Sequence, residues 1–210
     1  MKNKKLWSGI VASVLVVAVA AGGTYALLSH KTNTVDNKFT AQAGLEGELK
    51  EPAWDGITFG GGKLTTEEIA ALPGKSLGKD RAQQYTPIQE IGKNPMLRNN
   101  STMKAWMAIK LEGLTNANQY IEPIIFDSNW ENITPDGITA YQVYLYKTTV
   151  HEKTDTKNGG ITTPLFSSIT IQNLTAENIK NFDIKATGYA VQGDIEKTVA
   201  TTALQSMVAK

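Results

Sequence analysis

The sequence predicts an all-β domain, a jelly-roll-like antiparallel β-sandwich with few short peripheral helices, preceded by a signal peptide. Three observations carry this expectation. Several runs of strand length are rich in β-branched and aromatic residues and are set apart by Gly, Pro and Asn turn signals. Helix signals are confined to two stretches, so strands do not alternate with helices, and short strands with long connections favour Greek-key or jelly-roll winding. The chain also opens with a tripartite leader.

In that leader, Met1 to Lys5 is basic, Leu6 to Ala21 is an apolar run, and Gly22-Gly23 breaks the helix before the small-residue sequence Thr24-Tyr25-Ala26. The pattern predicts a signal peptide over residues 1–26, cut between Ala26 and Leu27, where Thr24 and Ala26 suit the two recognition pockets of a signal peptidase. A retained signal anchor is the rival reading. The uncharged stretch continues through Leu28 and is about long enough to cross the ~30 Å of a bilayer core.

Residues 27–43 then read as an N-terminal arm and 44–210 as the sandwich domain. Period two places Leu27, Val35, Phe39, Ala41, Ala43 and Leu45 on one face of a weakly apolar strand. Thr66 is placed to cap a short helix through Glu67, Glu68 and Ile69, ended by Pro73-Gly74. Met103 to Leu111 alternates more strongly, with Met103, Ala105, Met107, Ile109 and Leu111 facing one way. Tyr141 to Tyr146, Leu165 to Ile171 and Ile184 to Val191 are further strands. His151 to Gly160 carries the Asn-Gly and Gly-Gly signals of a turn. A last helix is expected over 194–208, capped by Asp194 and with Ile195, Val199, Leu204 and Met207 on one face. Its β-branched Thr198, Val199, Thr201 and Thr202 suit a strand equally well.

Composition narrows the function. Without Lys2, Lys4 and Lys5 the 21 basic residues fall to 18 against 20 acidic ones, a balance that argues against nucleic acid as partner. There is no cysteine, hence no disulfide and no thiolate metal site. His30 and His151, the only histidines, lie in the arm and in a polar loop, and His151-Glu152 is not followed by the second histidine of H-E-x-x-H; they read as solvated. Asp127, Glu131 and Asp136 lie close in sequence around Trp130, but spacing alone does not bring two carboxylates to one reacting atom. Phe59 to Lys63, "FGGGK", lacks the frame of a phosphate loop and reads as a turn. Trp54, Trp106 and Trp130 suit core or interface better than a sugar platform. No catalytic, cofactor or metal site is expected, and no enzyme.

Five stretches, in order along the chain, resemble a known family. "GGTYALLSH" is similar to the G-T-Y-A junction, and "KFTAQAG" to the segment that follows it. "LPGKSLGKD" with "IGKNPMLRNNSTMKAWMAIKLEG" resembles the family's P-G turn and its central strand block. "TTPLFSSITIQN" and "FDIKATGYAVQG" resemble its last strands. The family is that of TasA and camelysin, proteins exported through the SipW-type signal peptidase. Leu27-Leu28 and His30 stand where the junction commonly has an aromatic and an acid.

The resemblance implies a secreted subunit of biofilm-matrix or cell-surface fibres. Its partners would be the signal peptidase during export, further copies of itself joined head to tail, and a minor nucleating or anchoring protein. In such fibres a released N-terminal strand fills an open sheet edge of the next subunit. Here the donor would run from Leu27 to about Phe39, with Leu27, Val35 and Phe39 filling pockets. A tether without fixed structure, or a strand paired within its own domain, are the alternatives for this segment. Two other functions stay open: a camelysin-like surface metallopeptidase, and a monomeric adhesin or glycan-binding module.

Overall fold

The chain folds as antiparallel β-sheets with few helices, in a computed structural model that describes residues 26–27, 37–40, 45–83, 85–152, 160–174 and 180–209. The leader up to Tyr25, His30, Val35 and most of the predicted turn after His151 lie outside the described residues. Among the described residues no helix is long and apolar enough to cross a membrane.

A five-stranded sheet is built on β6 (Ala105–Glu112), the best alternating run in the chain. It pairs along its whole length with β10 (Lys185–Gln192), in register from Lys185 opposite Glu112 to Gln192 opposite Ala105. On its other side β6 pairs with β8 (Tyr141–Tyr146), which pairs with β7 (Trp130–Asn132). The two residues of β1 (Ala26–Leu27) sit on the free side of β10, giving the order β1-β10-β6-β8-β7. Ala105, Met107, Ile109 and Leu111 all face the main core, as their alternation predicts, whereas Met103 lies exposed before the strand begins.

The opposite face of this sheet is also covered. Ala108, Val143, Leu145 and Val191 pack against Ala200, Leu204 and Val208 of the C-terminal helix α5 (Lys197–Val208). That stripe repeats every four residues, so the expected face is corrected. Leu204 faces the sheet and Met207 is partly buried, but Val199 is 55% exposed. Ala200 and Ala108 are small enough for helix and sheet to come close, which is what turns the helix to this face. Asp194 does not cap the helix; Glu196 stands at the N-cap without a side-chain bond, and Asp194 pairs with Lys104 at 3.2 Å. The hydroxyls of Thr201, Thr202 and Ser206 donate to the carbonyls four residues earlier, which fits these residues into a helix.

The remaining strands supply the facing layer of the same core. β3 (Glu46–Lys50) lies between β2 (Asn37–Thr40) and β5 (Met96–Asn99). β4 (Glu90–Gly92) pairs with β9 (Ser168–Thr170). Single bonds extend this second pairing: Leu165 N–H donates to Pro95 O, Lys93 N–H to Ser167 O, and Thr162 N–H to Leu97 O. The predicted seven-residue strand Leu165 to Ile171 therefore shortens to β9. Pro95 opposite Leu165, and Pro164 beside it, have no N–H to give to a ladder. Leu49, Leu97, Ile91 and Ile169 from these strands meet the inner face of β6 and β10 in one buried cluster.

Short helices cluster between β3 and β4. α1 (Pro52–Asp55) starts with proline at its first turn and ends at Gly56, whose φ of 80° is the left-handed value glycine tolerates. α2 (Thr66–Ala70) carries a capping box, though the cap is Thr65 rather than Thr66. Thr65 Oγ1 accepts from Glu68 N–H at 3.2 Å, and Glu68 Oε2 accepts from Thr65 N–H at 2.7 Å. After a 3-10 turn at Pro73–Lys75 comes α3 (Gly78–Ala82). α4 (Leu114–Ala117) follows β6 directly.

Candidate functional site

Two places merit description: the edges that hold the arm, and a buried charge cluster beneath Trp54. Of the arm's candidate donor residues, Leu27 lies in β1 and Phe39 in β2, while Val35 falls outside the described residues. β1 sits on β10 with Ala26 opposite Ala186 and Leu27 opposite Lys185. The predicted cleavage bond, Ala26-Leu27, thus falls inside this pair. β2 sits on β3, from Asn37 opposite Leu49 to Thr40 opposite Glu46. Among the described residues both strands are outermost in their sheets. A ladder this short contributes a few hydrogen bonds of about 1 kcal/mol net each.

The second place was not legible as a site. Glu48, Lys50 and Glu51 all lie at the end of β3 or just beyond it, and all three are buried. Leu49 points into the main core, so Glu48 and Lys50 point to the other face, where they pair at 3.6 Å. Glu51 turns inward at the start of α1 and accepts from Lys93 Nζ at 2.7 Å through Oε2. Lys93 is 0% exposed and Glu51 2%. The Lys93 ammonium also lies 5.2 Å from the centre of the buried Trp54 ring. Among the described residues, Glu51 Oε1 has no hydrogen-bond partner.

Burial pushes the Glu51 carboxyl above its ordinary pKa, against the opposing pull of Lys93, and the charge of Asp55 pushes the same way as burial. The walls of this pocket are close-fitting. A Cβ on Gly78 would stand 1.9 Å from Gly92 O and 2.9 Å from Trp54 Cε3, so glycine is required for α3 to lie against Trp54. Asn94 fixes the pocket from below by accepting from Ala53 N–H at 2.6 Å. The sequence signal was present but faint: Lys93 is the lone charge in the apolar-to-turn stretch Ile91-Gly92-Lys93-Asn94-Pro95.

The other sequence candidates are occupied separately. Asp127 Oδ1 accepts from Asn129 N–H at 2.8 Å and from Thr163 Oγ1 at 3.1 Å, and the Asn129 bond holds its carboxyl below the ordinary value. Glu131 pairs with Lys197 of α5 at 2.8 Å, on the face of the sheet opposite the core, and Asp136 is exposed in a turn. His151 is exposed. Phe59 to Lys63 forms a tight turn closed by Thr58 N–H donating to Gly62 O and by a bridge between Ile57 and Lys63. Trp54 and Trp130 are buried, and half-buried Trp106 donates through Nε1 to Ile195 O at 3.0 Å.

A cavity of about 330 Å³ beside α4 has only Asn118, Gln142 and Gln172 as its polar lining, with no ionisable group. Among the described residues no group of three or more His, Cys, Asp or Glu is placed to hold a metal ion. No family model, no curated protein and no solved structure matches this chain.

Proposed function

We propose that this chain is a secreted structural subunit of extracellular fibres, of the TasA and camelysin kind. In this reading the leader is cut after Ala26, the domain has jelly-roll winding, and subunits join head to tail by exchanging the N-terminal strand. One observation carries the reading: β2, the strand lying wholly within the arm, is outermost in its sheet among the described residues. It can therefore be replaced by the same strand of another copy without breaking a pairing inside the body. An incoming strand satisfies the N–H and C=O groups of the edge it joins, and a contact of this kind that does not close on itself propagates as a filament. Fibres would remain at the cell surface or in a biofilm matrix, started by a minor nucleating or anchoring protein.

The leader makes assembly conditional on export, because an uncut arm has its first residue fixed to the apolar run. A chain starting at Leu27 is expected to form strand-exchanged oligomers or filaments by sedimentation and electron microscopy, and one starting at Gly44 to stay monomeric. If both sediment as monomers across salt, pH and protein concentration, strand exchange is excluded.

A further inference from the structure

The pocket beneath Trp54 holds an amine and a carboxyl group in direct contact. Lys93 Nζ lies 2.7 Å from Glu51 Oε2, both side chains are shut off from water, and the indole of Trp54 closes one side. An ion pair in so dry a place loses most of its hydration, and transfer of one proton from Nζ to Oε2 turns it into a neutral amine beside a carboxylic acid. The unpartnered Oε1 fits the neutral form, since a full carboxylate would leave a charged oxygen without a donor. Holding two reacting groups together in place of a chance encounter raises their effective concentration, which in well-oriented cases reaches about 10⁵–10⁸ M.

We propose that Lys93 and Glu51 join covalently, as an amide between Nζ and Cδ. The amine lone pair adds to the carboxyl carbon, a C–N bond forms, and one C–O bond breaks. The departing hydroxyl takes a proton from nitrogen and leaves as water. Nothing is oxidised or reduced, and no co-reactant is required. The dry pocket then denies hydrolysis its water. In a chain without cysteine the amide replaces the disulfide as a covalent staple. It ties the end of β3 to the joint between β4 and β5, across 42 residues of sequence. This inference stands apart from the fibre reading, because it concerns each subunit alone.

The test is the intact mass of the purified, folded protein, set against the mass calculated from its verified first residue. The expected result is a mass lower by one water, with a protease fragment that joins the peptides of residues 51 and 93. Lys93→Met, which is close to lysine in volume, is expected at its full calculated mass. Wild-type protein at full calculated mass, after prolonged incubation in the folded state, overturns the proposal. So does a loss of water that persists in Lys93→Met. Fragment identification on the wild-type chain decides the matter even where the variant fails to fold.

Discussion

Ile88 is a β-branched residue at φ 62°, two-thirds exposed, whose N–H donates to Ile171 O at 3.1 Å. Left-handed backbone costs a branched side chain on the order of 1–3 kcal/mol, and little burial is lost by replacing it. Ile88→Asn is therefore expected to raise stability by about 1 kcal/mol, seen as a higher urea midpoint; an unchanged or lower midpoint contradicts this. Asp55 is a second point of stored cost. Burial raises its carboxyl above the ordinary 3.8, against the bond from Ile57 N–H and the charges of Lys50 and Lys79. The folded chain keeps that proton to higher pH than the unfolded chain, so stability is full well below pH 3.8 and declines as pH rises towards the folded value. Asp55→Asn retains the oxygen for Ile57 and removes the charge. It should match the parent in urea at the acidic end and exceed it at neutral pH; an equal gap at both ends counts against the cause given. Residue-scale features of this sort were partly readable. The Thr65–Glu68 box sits one residue from the expected cap because two threonines in succession offer the same hydroxyl, and only backbone angles choose between them. Glu51 and Lys93 were unreadable as a pair, since nothing local links residues 42 apart.

Elements were legible where periodicity was strong and unbroken. β6, β8 and β10 fall within one or two residues of their predicted runs, because alternation and β-branched composition agree there. β9 was overestimated, since its apolar run continues through residues that prolines on both sides keep out of the ladder. The long strand expected across Leu27 to Leu45 appears, among the described residues, as the separate pieces β1 and β2. For α5 the type was right and the face partly wrong. A strip read from Ile195, Val199, Leu204 and Met207 drifts around the helix, whereas tertiary packing selected Ala200, Leu204 and Val208. Two substitutions separate these faces. Leu204→Ala is expected to cost about 2–5 kcal/mol by emptying space under the sheet, and Val199→Ala to change stability by under about 0.5 kcal/mol. Comparable losses at both positions in thermal or urea melts contradict the observed orientation of α5.

At the scale of the whole molecule, strand order is what a single sequence carries least. Nothing local in residues 105–192 says that β10 will lie between β1 and β6, since its partners on β6 stand 73 (185 − 112) to 87 (192 − 105) positions earlier and those on β1 far earlier still. Register, once known, offers a direct probe of exchange. Thr40 and Glu46 are partners across β2 and β3, and the chain has no native cysteine to interfere. Thr40→Cys and Glu46→Cys chains, each starting at Leu27, are expected to form a mixed disulfide dimer when combined and oxidised. If only the double variant closes, and does so within one chain, the arm stays at home and the fibre reading fails. The link between Glu51 and Lys93 has a different consequence for the molecule as a solid object. It makes everything from α1 to α3 an ear pinned at both ends, with the exposed Gly60-Gly61-Gly62-Lys63 turn near its tip. A protease that cuts after Lys63 severs the ear without freeing either stump, so a nicked chain keeps its outline.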